Sequence, residues 1–193
     1  RHAGRGALAR GVALGAGAAR LLRGNHPEHG AREEEAAAFF GCERALYLSN
    51  GYLANFALLA TLPQRGDLVV HDELIHASAH DGMRRGRAEA VSVPHNDVTA
   101  CADAIAAWRA AGGTGRTWIL AESLYSMDGD VAPLEDLMAL ADKTGSMLLI
   151  DEAHATGVFG PEGRGLAASF EGRENVITLH TCGKALGVSG ALV

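Results

Sequence analysis

Lys184 lies in the run Thr181-Cys182-Gly183-Lys184-Ala185-Leu186-Gly187, among small residues and glycines and just after an apolar stretch. Lysine usually occupies a solvated, mobile surface position. Here little bulk surrounds it, so another molecule can lie close to the amine. An amine placed in this way can attack a carbonyl and hold it as a Schiff base, most readily where desolvation depresses its pKa. The heptapeptide alone more readily fits a surface lysine in a flexible turn.

Other polar residues recur directly after short apolar runs. Ser49-Asn50-Gly51-Tyr52 follows Leu48 and leads into an apolar helical pattern. A glycine turn opening a helix presents free N–H groups to a phosphate, although Ser-Asn-Gly is also an ordinary turn and cap. His71-Asp72-Glu73-Leu74-Ile75-His76-Ala77-Ser78 follows Val70. His76 there fits either a ring stacked on an aromatic ligand or a polar residue starting a helix. Glu122 to Asp130 forms a dense polar loop after Ala121, in which Ser126 offers a hydroxyl while Asp128 and Asp130 suit turn caps. Asp151-Glu152-Ala153-His154 follows Leu148-Leu149-Ile150. A carboxylate at the end of a buried strand needs a cation or hydrogen bonds. A protonated pyridine nitrogen would serve Asp151, and His154 could reach the same ligand. The local pattern fits an N-cap aspartate with a surface histidine as well. Thr181 could donate to a phosphate while Lys184 holds the carbonyl end.

One cofactor accounts for these features together. Pyridoxal 5'-phosphate (PLP) needs a lysine for its aldehyde, a carboxylate for its ring nitrogen, donors for its ring oxygen and an anion site for its phosphate.

The elements that must position these residues are legible as alternating runs. Strand candidates are 45–48, 68–70, 90–93, 118–121, 147–150 and 176–179, mostly apolar throughout, as strands covered on both faces are. Helix candidates are 33–40, 52–62, 98–111 and 134–144. The order predicts a three-layer α/β/α domain with a mostly parallel sheet. Ligands in such folds bind beyond the carboxyl ends of the strands, where the polar residues above fall.

The chain has 193 residues, a formal net charge of -6 and no basic stripe, which argues against nucleic acid as a partner. No apolar stretch approaches the roughly 20 residues that span a bilayer. Cys42, Cys101 and Cys182 are too few and scattered for a disulfide framework or a zinc site, and suit reduced thiols in the cytoplasm. No metal is expected. Arg1, Arg5, Arg10, Arg20 and Arg23 without an acid resemble a transit peptide in composition, but serine is not enriched and the stretch runs on into Leu21-Leu22-Arg23-Gly24-Asn25-His26-Pro27. At the other end, Gly190 to Val193 looks like an unfinished strand with an unpaired edge. A fragment is the expectation, with residues 1–30 as an N-terminal segment beside the site and residues 31–193 as the cofactor domain.

Arg20 to His29, Glu122 to Asp130 and Asp151 to Gly160, together with the lysine heptapeptide, resemble the α-oxoamine synthase family of fold-type-I PLP enzymes across nearly the whole chain. The resemblance implies decarboxylative condensation of an amino acid with an acyl thioester, here L-alanine with a pimeloyl thioester, other amino acids and acyl groups being the alternatives within the family. A catalytically inactive scaffold subunit is the alternative outside it. It implies Lys184 as the aldehyde anchor and proton carrier. Asp151 would pair with the ring nitrogen, and His154 and Ser126 would contact the ring oxygen. His76 would stack on the ring, while Gly51, Tyr52 and Thr181 would hold the phosphate. A homodimer with a shared site and a smaller C-terminal domain are implied too.

Overall fold

A computed structural model describes residues 6, 9, 11, 15 and 17–193. The expectation placed on Arg1, Arg5 and Arg10 lies outside the described residues.

Seven strands form one sheet: β1 (Tyr47–Leu48), β2 (Leu68–Asp72), β3 (Glu89–Val93), β4 (Thr117–Glu122), β5 (Met147–Asp151), β6 (Val176–Thr181) and β7 (Ala191–Leu192), in the spatial order β1-β7-β6-β5-β4-β2-β3. From β6 to β3 all neighbours are parallel. β7 runs antiparallel to both β6 and β1. The terminal strand expected to leave an open edge is therefore paired on both sides.

Helices accompany the sheet, among the described residues α1 (Pro27–Phe40), α2 (Gly51–Thr61), α3 (Ala77–Arg85), α4 (Val98–Ala110) and α5 (Leu134–Thr144). Strand side chains alternate between the two faces. Leu68, Val70, Ile119, Leu148 and Ile150 pack on one face with Cys101 and Ile105 of α4 and Leu137 and Met138 of α5. Val69, Trp118, Leu120 and Leu149 pack on the other with Leu59 of α2 and Ala79 of α3. Burial on both faces explains why β2, β4 and β5 read as unbroken apolar runs. β3 is the sheet edge, and its first residues are exposed.

One helix start and one whole helix depart from expectation. α1 begins at Pro27, not Glu33, because the His26 side chain accepts the Glu28 N–H and caps it while Pro27 occupies its first turn. α3 has no counterpart among the expected helices. It is short and polar and carries Gly82 in its interior. A Cβ at Gly82 would lie 2.9 Å from Leu59 Cβ and 3.1 Å from the Asn55 carbonyl oxygen. The glycine lets α3 lie tight against α2, and that packing outweighs a poor helix propensity.

Among the described residues no helix is long and apolar enough to cross a membrane, and no group of His, Cys, Asp or Glu is arranged to hold a metal.

Candidate active site

Because β2, β4, β5 and β6 are parallel, their carboxyl ends share one edge of the sheet, and the starts of α2 and α3 close over it. A cleft with about 370 Å³ of atom-free space lies there. Gly51, Tyr52, His76, Asp151, His154, Thr181 and Lys184 all line it.

Asp151 ends β5 and is 6% exposed. Its Oδ2 accepts the Asn55 amide at 2.6 Å and its Oδ1 accepts the Ala153 N–H at 2.9 Å. No salt bridge to Asp151 occurs among the described residues, so the carboxylate can still take a cationic N–H from the cleft. Asn55 also donates to Ser78 Oγ at 3.1 Å, and Ser78 Oγ lies 2.7 Å from His76 Nδ1. The Ser78 N–H donates to that same nitrogen at 3.2 Å. His76 is thus the cap of α3 and also a wall of the cleft.

Gly51 opens α2 after the Asn50 cap, whose side chain accepts the Leu53 N–H. The first N–H groups of the helix have no partner within it and face an anion favourably. A Cβ at Gly51 would lie 3.1 Å from Thr181 Oγ1 and 3.3 Å from Thr181 Cβ. The glycine therefore lets the threonine hydroxyl lie close beside the start of α2. Tyr52 is half-exposed and its hydroxyl donates to Asp81.

Lys184 stands in the turn between β6 and β7 and is exposed, in contrast to the desolvated setting its small neighbours suggested. Among the described residues it forms no salt bridge. Ser126 is displaced from the group. Tyr125 takes the inward position and is buried, and the Gly129 N–H bonds back to the Tyr125 carbonyl, so Ser126 sits on the outer side of an exposed turn beside Met127. It does not line the cleft.

Asn55, Ser78 and Glu122 line the cleft without having been singled out as ligands. Asn55 lies one turn inside α2 and Ser78 is the second residue of α3, where a polar residue gives no signal of facing a site. Glu122 ends β4 directly opposite Asp151 in register, a pairing visible only once the strand order is known. Burial, then the charge of Asp151, pushes the Glu122 carboxyl up to about 7. His154 Nδ1 is buried 3.5 Å from Glu122 Oε2 and has no hydrogen-bond partner. Burial and the Lys184 charge hold His154 below the usual histidine range, so the ring is neutral.

A carboxylate with room for a pyridinium N–H, an unsatisfied histidine nitrogen, a threonine hydroxyl beside a helix start and an unpaired lysine suit PLP as a donor set.

The model of the aminotransferase class I and II family matches residues 7–193. The chain belongs to this family. Its fold is that of the fold-type-I PLP-dependent transferases, and PLP is the cofactor. Among family members, the 8-amino-7-oxononanoate synthase of Azoarcus sp. is 46% identical over 178 residues, covering 92% of this chain and 45% of its own length. That of Geobacter sulfurreducens is 45% identical over 180 residues, with 93% and 45% covered. A structure of serine palmitoyltransferase from S. paucimobilis with bound PLP-myriocin aldimine superposes with a TM-score of 0.89 at 33% identity, covering 99% of this chain and 49% of that one. A structure of 8-amino-7-oxononanoate synthase from Francisella tularensis gives 0.73 at 31%, covering 86% and 47%. The chain spans about half the length of the curated relatives it matches.

Proposed function

We propose that the protein to which this chain belongs condenses L-alanine with pimeloyl-CoA or a pimeloyl carrier protein, releasing CO2 and the free thiol carrier and forming 8-amino-7-oxononanoate for biotin synthesis. The observation that carries this is the convergence of Lys184, Asp151, His154, Thr181 and Gly51 on one cleft. The relatives named above support the choice of substrates.

When bound, PLP supplies an electron sink for a carbanion at the amino acid's α-carbon. Lys184 would anchor the cofactor's aldehyde. Displaced by the substrate amine and neutral, the same amine would remove the α-proton and return a proton after the carbon–carbon bond forms. Asp151, fixed by Asn55 and Ala153, would hold the ring nitrogen protonated. His76 would cover the ring face, and His154 would face the ring oxygen. The Gly51 and Tyr52 N–H groups and the Thr181 hydroxyl would hold the phosphate. Ser126, on its exposed turn, would need that turn to move inward. The protein would act in the cytoplasm as a homodimer.

A second reading keeps the chemistry and changes the substrates. It is favoured by the higher TM-score of the serine palmitoyltransferase structure. Turnover with alanine against serine or glycine separates the two.

The cofactor role is tested by adding PLP. A visible absorbance band is expected in the wild type and is lost in Lys184→Ala. Identical spectra would sink the enzyme reading and favour an inactive scaffold.

A further inference from the structure

We propose that Glu122 is a positioning residue, a carboxylic acid whose O–H donates to His154 Nδ1 and fixes His154 as the Nε2–H tautomer. This rests on the reading of the cleft as a cofactor site, since His154 matters there as the group facing the ring oxygen. Both members of the pair lie within this chain.

The geometry sets two carboxyl groups side by side. Glu122 and Asp151 are register partners at the ends of adjacent parallel strands, and both are almost fully buried. Like charges so placed do not both ionise cheaply. Asp151 already has two N–H donors on its two oxygens. The charge therefore settles on Asp151 and the shared difficulty falls on Glu122. Asp72 adds to the repulsion, while the Lys184 charge and the His76 backbone N–H oppose it.

The partner is equally constrained. His154 Nδ1 is buried and unpaired, with Glu122 Oε2 3.5 Å away. The groups around the ring are Lys184 and His76, which disfavour its charged form, and Asp151 and the Leu124 backbone, which favour it. Burial, the largest influence, keeps it neutral. A neutral imidazole nitrogen accepts strongly, whereas the carbonyl oxygen of a neutral acid accepts weakly. The favoured bond is thus O–H to Nδ1, reached by a small side-chain rotation. The ring proton is left on Nε2.

The sign with pH follows. Between the depressed pKa of His154 and about 7, both groups are neutral and the Nε2–H tautomer holds. Above about 7 Glu122 ionises and becomes an acceptor, and the proton moves to Nδ1.

The test is nitrogen NMR of histidine-labelled protein without cofactor, with the His154 signals assigned from His154→Gln. The wild type should show unprotonated Nδ1 and protonated Nε2 below about 7, then a shift toward Nδ1–H above it. Glu122→Gln keeps a donor in place and should hold the Nε2–H tautomer at every pH. Glu122→Leu should lose the preference. A protonated Nδ1 in the wild type below about 7, or a Glu122→Gln variant that still switches with pH, overturns the proposal. If Glu122→Leu does not fold, the wild-type titration and the Gln variant still decide. Failure of the functional reading shows separately, as absence of the Lys184-dependent absorbance.

Discussion

At the scale of single residues, the cleft is organised around one buried charge. Asp151 tolerates burial because Asn55 and Ala153 donate to it, and Asn55 is held in turn by Ser78. The chain of contacts continues to His76 Nδ1, which receives the Ser78 N–H. One amide thus connects the carboxylate to the cap of α3. Removing it leaves the largely buried Asp151 Oδ2 without that donor, and a stranded polar group costs about 1–3 kcal/mol. Asn55→Leu should therefore lower unfolding free energy by roughly that amount. Tyr52→Phe removes only a half-exposed hydroxyl bonded to Asp81 and should stay within about 0.5 kcal/mol. Urea denaturation followed by circular dichroism compares the two. Equal losses would show that Asn55 is not the carboxylate's main support.

At the scale of elements, the loop between β4 and α5 is held by His95, which follows β3. Its Nδ1 lies 2.9 and 3.0 Å from the two oxygens of Asp72, and its Nε2 lies 2.7 Å from Asp130 Oδ2. Two carboxylates facing the two ring nitrogens are both satisfied only by an imidazolium. Burial opposes the charge, but Asp72 and Asp130 together raise His95 above the usual 6.5. A pKa raised on folding gives stability that is complete below the unfolded value and is lost as pH climbs through the folded one. Thermal unfolding should therefore show stability falling as pH rises from 6.5 through the raised value, and His95→Gln should flatten that part of the curve. A wild-type curve as flat as the variant's would rule out the clamp. His95 also marks the limit of what the sequence shows. Leu148-Leu149-Ile150 declares its strand and points to Asp151 at its end, because double-sided burial leaves an unbroken apolar run. Thr181 ends β6 and is placed in the same way. Contacts between elements are not written locally. Glu122 opposite Asp151, Asn55 under the carboxylate and His95 between two aspartates all depend on strand order and helix placement. α3 was hidden because Gly82 looks like a breaker until α2 lies against it. Ser126 lies outside the cleft because Tyr125 turns inward instead, which nothing local in the sequence says.

At the scale of the whole molecule, the edge of the sheet that carries the cleft also carries apolar side chains left bare. Met127 is 92% exposed and Val158 63%, on the segments after β4 and β5. Leu186 and Val188 flank Lys184 in the turn after β6, and Tyr52 stands at the start of α2. Large apolar groups exposed near a site are costly in water, and the homodimer proposed above would bury them. At the opposite edge Arg116, before β4, is exposed and charged. The proposed homodimer is placed on the cleft edge for the test. Sedimentation velocity should show self-association of the wild type. A buried charge at the centre of an interface costs several kcal/mol, and each 1.4 kcal/mol is tenfold in affinity. Val158→Asp or Met127→Asp should thus weaken association by roughly tenfold or more, while Arg116→Ala leaves it within about twofold. A wild type that stays monomeric at every concentration removes the homodimer. Association disturbed by Arg116→Ala but not by Val158→Asp moves the interface to the other edge of the sheet, away from Lys184.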